Sequence, residues 1–225
     1  MYRVEDKFNC SVQEMYQLQR RLSTVMQVDS NEKNIEGYNV ASLYFDDLAD
    51  TCLTDTIDGC EMRNKYRIRI YNNSMRMIKL EVKQKLDNRI NKKSKSITEQ
   101  QLWKLMCGEC IEDGNSLEDP ATLFNLAIKT GGLRPKIIVT YERKAYLYQL
   151  GNVRITFDRN VRVSDQIENF GKPHVCYEWL KDQDAVLEIK YDEFIPAFLL
   201  QLLELGNLQQ VSYSKYQFCR ERCSK

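Results

Sequence analysis

Several short stretches of the chain alternate charged and apolar residues strictly enough that, as β-strands, each carries all its charge on one face. Lys65, Arg67 and Arg69 point one way, and Tyr66, Ile68 and Ile70 the other. The run Lys79-Leu-Glu-Val-Lys83 repeats the pattern. Alternation and β-branched content predict eight strands, over 2–8, 39–47, 63–71, 76–86, 89–97, 135–148, 152–159 and 185–192. Asn72-Asn73-Ser74, Leu86-Asp87-Asn88 and Gly151-Asn152 read as short turns between neighbouring strands, so the sheet is mostly antiparallel.

Helices fill the gaps. Ser11-Val-Gln-Glu14 and Thr98-Glu-Gln-Gln101 carry the Ser/Thr-x-x-Glu/Gln pattern, in which each side chain satisfies a free N–H of the first turn. They open helices predicted over 11–27 and 98–107. A third is predicted over 120–129, stopped by Gly131-Gly132, and a fourth over 195–205 with Pro196 in its first turn. With no repeat, linker or low-complexity segment, residues 1–225 read as one domain.

Comparing strands assigns the faces. Arg3, Glu5 and Lys7 share one face, as do Tyr141 and Arg143, then Arg154, Thr156 and Asp158, then Glu188, Lys190 and Asp192. Their opposite faces carry apolar residues such as Val4, Ile155, Phe157, Leu187 and Ile189. Helices need an apolar surface to cover, so they pack on that second face and the charged face looks into the sheet's own concavity. The expected fold is therefore α+β: an eight-stranded, mostly antiparallel β-tunnel or barrel with a charged lumen and helices packed on its outside. An ordinary small barrel has the opposite polarity.

Bulk charge hides this arrangement. The 33 basic and 32 acidic residues leave a net charge of +1. Their placement is uneven: odd positions of 63–71 and 79–85 carry Arg63, Lys65, Arg67, Arg69, Lys79, Lys83 and Lys85 against Glu81 alone. Acidic residues gather elsewhere, at Asp46-Asp47 and within 109–119 and 182–184. A single alternating strand is explained by one wet face. The same pattern on six strands sets like charges side by side, and a bound polyanion relieves that repulsion. Guanidinium forks suit phosphate bidentately, and lysines act as point charges.

The motif Glu-x-Lys appears on three separate strands, as Glu5-Asp-Lys7, Glu81-Val-Lys83 and Glu188-Ile-Lys190. Simple salt bridging explains any one of them. Three carboxylates converging from three strands suit Mg²⁺ or Mn²⁺ held by oxygen ligands and bridging phosphate oxygens. His174, beside Pro173, is the one histidine, which leaves no Ser/His/Asp or Cys/His arrangement for acyl transfer. Cys107-Gly-Glu-Cys110 fits a helix end and Cys219-Arg-Glu-Arg-Cys223 has irregular spacing, so neither argues for zinc. No apolar stretch reaches the roughly 20 residues of a membrane span, and there is no apolar signal core. The eight cysteines are accordingly expected as reduced thiols in a cytoplasmic protein. RNA binding is disfavoured because the aromatics are not interleaved with the basic face as stacking platforms require.

These residues resemble the triphosphate tunnel metalloenzymes, or CYTH-like superfamily, and in particular the polyphosphate polymerase domain of the vacuolar transporter chaperone (VTC) family. The resemblance runs over almost the whole chain. It is carried by Tyr2-Arg-Val-Glu-Asp-Lys-Phe8, Ser42-Leu-Tyr-Phe-Asp-Asp47, Lys65-Tyr-Arg-Ile-Arg-Ile-Tyr71, Lys79-Leu-Glu-Val-Lys-Gln-Lys85, Tyr141-Glu-Arg143, Val153-Arg-Ile-Thr-Phe-Asp158, Leu187-Glu-Ile-Lys190 and Ser214-Lys-Tyr216. Tyr-x-Arg and Ser-Lys-Tyr belong to the polymerase branch; Glu-x-Lys is shared with the superfamily's phosphatases and cyclases.

The resemblance implies transfer of the γ-phosphate of ATP onto a growing polyphosphate chain. It assigns catalytic roles on the phosphates to Lys7, Arg67, Arg69, Lys83, Arg143 and Arg154. Lys65, Lys85, Lys190, Tyr141, Ser214 and Lys215 would bind substrate, joined by one lysine of Lys92-Lys93-Ser-Lys95, with Lys93 preferred. Glu188 would be the main ligand of Mn²⁺ or Mg²⁺, with Glu81 and Glu5 as further ligands. Against the eukaryotic pattern, the chain lacks a regulatory domain and membrane helices, so a separate membrane partner is expected. Ser212 stands where the pattern would have a basic residue. The alternatives are a tripolyphosphatase or nucleoside triphosphatase of the same fold, and a non-catalytic module binding polyphosphate or inositol phosphates.

Overall fold

The computed structural model describes residues 3–29, 32, 37–87, 89–172, 175–179 and 185–223. Tyr2, Asn88, Pro173, His174 and the acidic stretch 182–184 lie outside the described residues.

Eight long strands form where alternation placed them: β1 (Val4–Cys10), β3 (Tyr38–Asp46), β4 (Met62–Tyr71), β5 (Ser74–Leu86), β6 (Arg89–Ile97), β7 (Arg134–Tyr148), β8 (Val153–Ser164) and β10 (Ala185–Tyr191). Two dipeptide strands were not expected, β2 (Gln27–Val28) on β7 and β9 (Glu178–Trp179) on β8. The sheet runs β1-β10-β8-β7-β3-β4-β5-β6, antiparallel throughout. Its edges curl until Arg3 and Ile90 exchange backbone hydrogen bonds of 3.1 and 3.3 Å, which closes a ring. The rest of β1's edge is taken by residues 209–211: Asn9 N–H donates to Gln209 O and Val211 N–H to Lys7 O, each at 2.9 Å. The fold is α+β, with one large antiparallel sheet in a ring.

The turns follow local chemistry. Asn72 and Asn73 both take positive φ, 52° and 51°, the conformation a tight hairpin with right-handed strand twist needs and asparagine tolerates. Both capping boxes form, at the starts of α1 (Val12–Leu22) and α3 (Glu99–Met106). α1 stops earlier than the predicted 27. α4 (Pro120–Gly131) ends on Gly132 at φ 65°, the left-handed cap glycine favours. α5 (Ala197–Leu203) follows Pro196.

Two helices escaped the sequence reading: α2 (Thr51–Ile57) and α6 (Lys215–Cys223). α2 starts without a side-chain cap and α6 carries no apolar stripe, so neither gave a start signal or a helical period.

Two apolar layers cover the outside of the ring. Ile68, Ile70, Leu80 and Val82 pack with Leu102, Leu105 and Phe124 of α3 and α4. Phe157, Leu187 and Ile189 pack with Met15, Leu18 and Leu199 of α1 and α5. α6 does something different. Its Tyr216 and Cys219 are buried with Val40, Val139, Val161 and Val163, which lie on the ring's inner face. A bulge causes this. Asn160 takes φ 53° and the β7–β8 register slips there, so the inner face of β8 changes from Arg154, Thr156 and Asp158 to Val161 and Val163. The interior is therefore not charged throughout, and not every helix lies outside: one end holds an apolar plug built on α6.

Candidate functional site

The site grows from strand parity. Inward residues from β1, β4, β5, β6, β7, β8 and β10 converge on a cavity of about 420 Å³. Eleven basic side chains line it against two carboxylates, Glu5 and Glu188, so the space is strongly anion-attracting. Lys7, Lys65, Arg67, Arg69, Lys83, Tyr141, Arg143, Arg154, Glu188, Lys190, Ser214 and Lys215 all reach it, as the sequence implied. An adjoining cavity of about 590 Å³ shares Glu5, Lys7, Lys65 and Lys83 with the first and continues past Arg63, Lys85 and Ser212. Lys85 belongs to this second space.

One placement is corrected. Lys93 sits on the outer face, where its ammonium meets Leu117 O at 2.5 Å and Glu118 at 3.1 Å, and Lys95 is also outside, on Asp119 at 2.7 Å. Lys92 is the lysine that enters, 3.1 Å from Glu81. Pairing decides this, because Lys92 lies opposite inward Lys83 while Lys93 lies opposite outward Val82.

Carboxylates behind the lining hold the cations in place. Glu81 is 1% exposed, takes the Nε and a terminal nitrogen of Arg67 at 2.8 and 2.7 Å, and does not itself line the cavity. Asp158 takes Arg143 through two bonds of 2.6 and 2.7 Å and Lys215 at 2.6 Å. Asp29 takes Arg154 at 2.5 Å, and Tyr38 hydroxyl accepts from the same guanidinium at 3.0 Å. Arg69 donates to Tyr141 hydroxyl at 3.2 Å. Sequence reasoning missed Tyr38 and Tyr44 in the lining and Asp29 behind it, and placed Arg3 and Asp158 on the inward face without giving them a role in the site. Asp158 was visible by parity, and the hairpin turning at Gly151-Asn152 sets it opposite Arg143, but nothing in the sequence indicated Lys215.

Ser214-Lys215-Tyr216 ties the start of α6 to three strands. Ser214 hydroxyl accepts from Lys65 of β4 at 2.8 Å, Lys215 pairs with Asp158 of β8, and Tyr216 hydroxyl donates to Asp46 of β3 at 2.7 Å. Comparison with known families finds a match over nearly the whole chain: the VTC domain, over residues 2–223.

The chain belongs to the VTC domain family.

Two solved structures share the fold of this VTC domain. One is a candidate adenylate cyclase from Vibrio parahaemolyticus, 14% identical, with a TM-score of 0.54 over 100% of this chain and 99% of that one. The other is a candidate adenylate cyclase from Bacillus halodurans, 12% identical, with a TM-score of 0.54 over 95% and 96%. No curated protein matches the sequence. The VTC family and the triphosphate tunnel fold together support a role in binding or transferring the phosphates of triphosphate-type substrates. No helix among the described residues is long and apolar enough to cross a membrane.

The electrostatics of the VTC domain's cavity separate paired cations from an unpaired one. Burial would raise the Glu5 carboxyl, but Lys190, Lys83 and Lys7 hold it well below the usual carboxylate range. Glu188 is likewise lowered, against burial and the neighbouring Glu5, by Lys190, Lys7 and Arg143. Burial pulls the Lys83 ammonium down to about 7 despite Glu5. Lys65 is driven well below an ordinary lysine by burial and then by Lys83 and Lys7, with no carboxylate in ion-pair reach among the described residues.

The metal fit is partial. Glu5 and Glu188 are hydrogen-bonding neighbours; the Glu188 oxygen facing Lys7 stands 3.9 Å from it, while both Glu5 oxygens accept from Lys83 at 2.8 and 2.9 Å and would have to give up that contact to a metal ion. Two carboxylates completed by water and phosphate oxygens suit Mg²⁺ or Mn²⁺, which keep several such ligands. Glu81 does not join them: its oxygens are taken by Arg67 and Lys92, and no group of three acidic, cysteine or histidine side chains converges among the described residues.

Proposed function

We propose that this VTC domain is an ATP-dependent polyphosphate polymerase. The excess of basic over acidic side chains on the inner face carries the reading, with Lys65 as its clearest instance: among the described residues no carboxylate pairs with it, and burial with neighbouring cations pushes its ammonium pKa well down until an anion arrives. A terminal oxygen of the phosphate chain attacks the γ-phosphorus of ATP; the bond from that phosphorus to the β–γ bridging oxygen breaks, and ADP leaves with the electron pair. No protein nucleophile is required, because phosphoryl transfer rests on positioning and charge neutralisation.

Arg67, Arg69 and Arg143 are backed by hydrogen bonds or carboxylates and act as fixed forks on the transferring group. Lys7, Lys65, Lys83 and Lys190 supply point charges along the chain, Lys215 joins Arg143 on the transferring group, Arg154 holds the outer phosphates, and the second cavity with Arg63 and Lys85 gives the polymer room. Mn²⁺ or Mg²⁺ on Glu188 and Glu5 would neutralise charge on the phosphate oxygens. The cysteines are all free thiols, which suits a reducing, ATP-holding cytoplasm.

Incubation with ATP and Mn²⁺, followed by gel separation of products, tests the proposal. Long phosphate polymers are expected. Free phosphate alone would turn the reading to a triphosphatase, and tight polyphosphate binding without ATP turnover to a binding module.

A further inference from the structure

Asp158 is fully buried and does not line the cavity, so it touches no ligand there. It is the last inward residue of β8 before the bulge at Asn160, and its carboxylate joins two cations from distant parts of the chain. Arg143 of β7 reaches it through Nε and a terminal nitrogen at 2.6 and 2.7 Å, and Lys215 of α6 through Nζ at 2.6 Å. Both cations then sit over one ring: the Arg143 guanidinium carbon is 5.2 Å and the Lys215 ammonium 4.8 Å from the centre of Tyr141. The Tyr141 hydroxyl accepts from Arg69 at 3.2 Å. One carboxylate thus holds two of the three basic groups gathered around a tyrosine.

We propose that Asp158 is a positioning residue, which fixes the separation and aim of Arg143 and Lys215 so that both meet the same phosphate group. The side-on fork fixes the plane of the Arg143 guanidinium and leaves its other terminal nitrogen for a ligand. Without the carboxylate, two buried like charges are left to repel each other, and the flexible Lys215 side chain can swing its ammonium away by rotation about its own bonds. The inference rests on the polymerase reading for its kinetic consequence, but not for its geometric one.

Two measurements test it. In Asp158→Asn, ATP turnover is expected to fall roughly 100-fold while affinity for inorganic tripolyphosphate, measured by calorimetry, stays within about threefold, since the cations remain but are misaimed. Labelling with an amine-reactive ester and peptide mapping is expected to find Lys215 shielded in the wild type and reactive in Asp158→Asn. Asp158→Glu keeps the charge and moves it by one methylene; it should lose turnover yet keep Lys215 shielded, and it carries the test if the asparagine variant does not fold. Wild-type turnover in both variants would overturn the inference. So would equal shielding of Lys215 in Asp158→Asn, or a parallel loss of turnover and affinity. Should the wild type turn over no ATP, the polymerase reading fails, and the labelling result still decides whether Asp158 holds Lys215.

Discussion

Tyr216 donates its hydroxyl hydrogen to Asp46 across 170 residues of chain, at 2.7 Å. The same carboxylate accepts from the backbone N–H of Cys52 at 2.9 Å and of Leu53 at 3.1 Å, so one buried side chain holds the first turn of α2 and the first turn of α6 together. Tyr216 also stacks on Tyr44, with centroids 5.1 Å apart. Removing the hydroxyl leaves an Asp46 oxygen short of a partner in the interior. Tyr216→Phe is expected to lower unfolding free energy by about 1–2 kcal/mol, measured by urea titration. An unchanged midpoint would show that the contact does not secure α6.

The depressed Lys65 makes anion binding proton-linked. Burial and neighbouring cations keep its ammonium pKa well below normal in the free protein, and a bound phosphate chain stabilises the charged form. Binding therefore takes up protons once pH exceeds the depressed value, and affinity for tripolyphosphate falls as pH rises. Calorimetry in buffers of different ionisation enthalpy should register that uptake, and Lys65→Met should reduce it. Uptake identical in the two proteins would refute the assignment.

Lys92 and Lys93 are adjacent in sequence and opposite in space. Lys92→Met is expected to weaken tripolyphosphate binding about fivefold, discounted for an ammonium that is half exposed, whereas Lys93→Met changes it less than about twofold. The reverse order would mean that β6 is paired in another register.

Arg69 and Glu188 lie on opposite arcs of the ring, and each is 5–6% exposed. Arg69→Ala and Glu188→Ala should each reduce ATP turnover by about 100-fold or more, with circular dichroism unchanged. Near-normal rates in both would remove the proposed site.

Much of this was legible along the chain. A strand's side chains alternate with period two, so Lys65, Arg67 and Arg69 had to share a face, and the apolar residues between them had to face the helices. Asparagines at the tight turns and Ser/Thr-x-x-Glu/Gln at the helix starts are equally local, because they satisfy backbone geometry and N–H groups a few residues away. Lys93 was misplaced because parity within β6 leaves two choices, and only pairing with β5 selects one.

The sequence by itself determined the eight long strands, the polarity of their two faces, and a cationic concavity dotted with carboxylates. Tertiary structure decided which charges are partnered. Ion pairs such as Arg154 with Asp29 and Lys215 with Asp158 join residues far apart in the chain, and such contacts depend on how distant segments pack together, not on periodicity. The bulge at Asn160 and the plug formed by α6 likewise follow from register and long-range packing. They convert an evenly charged face into a cavity with a basic chamber and an apolar end.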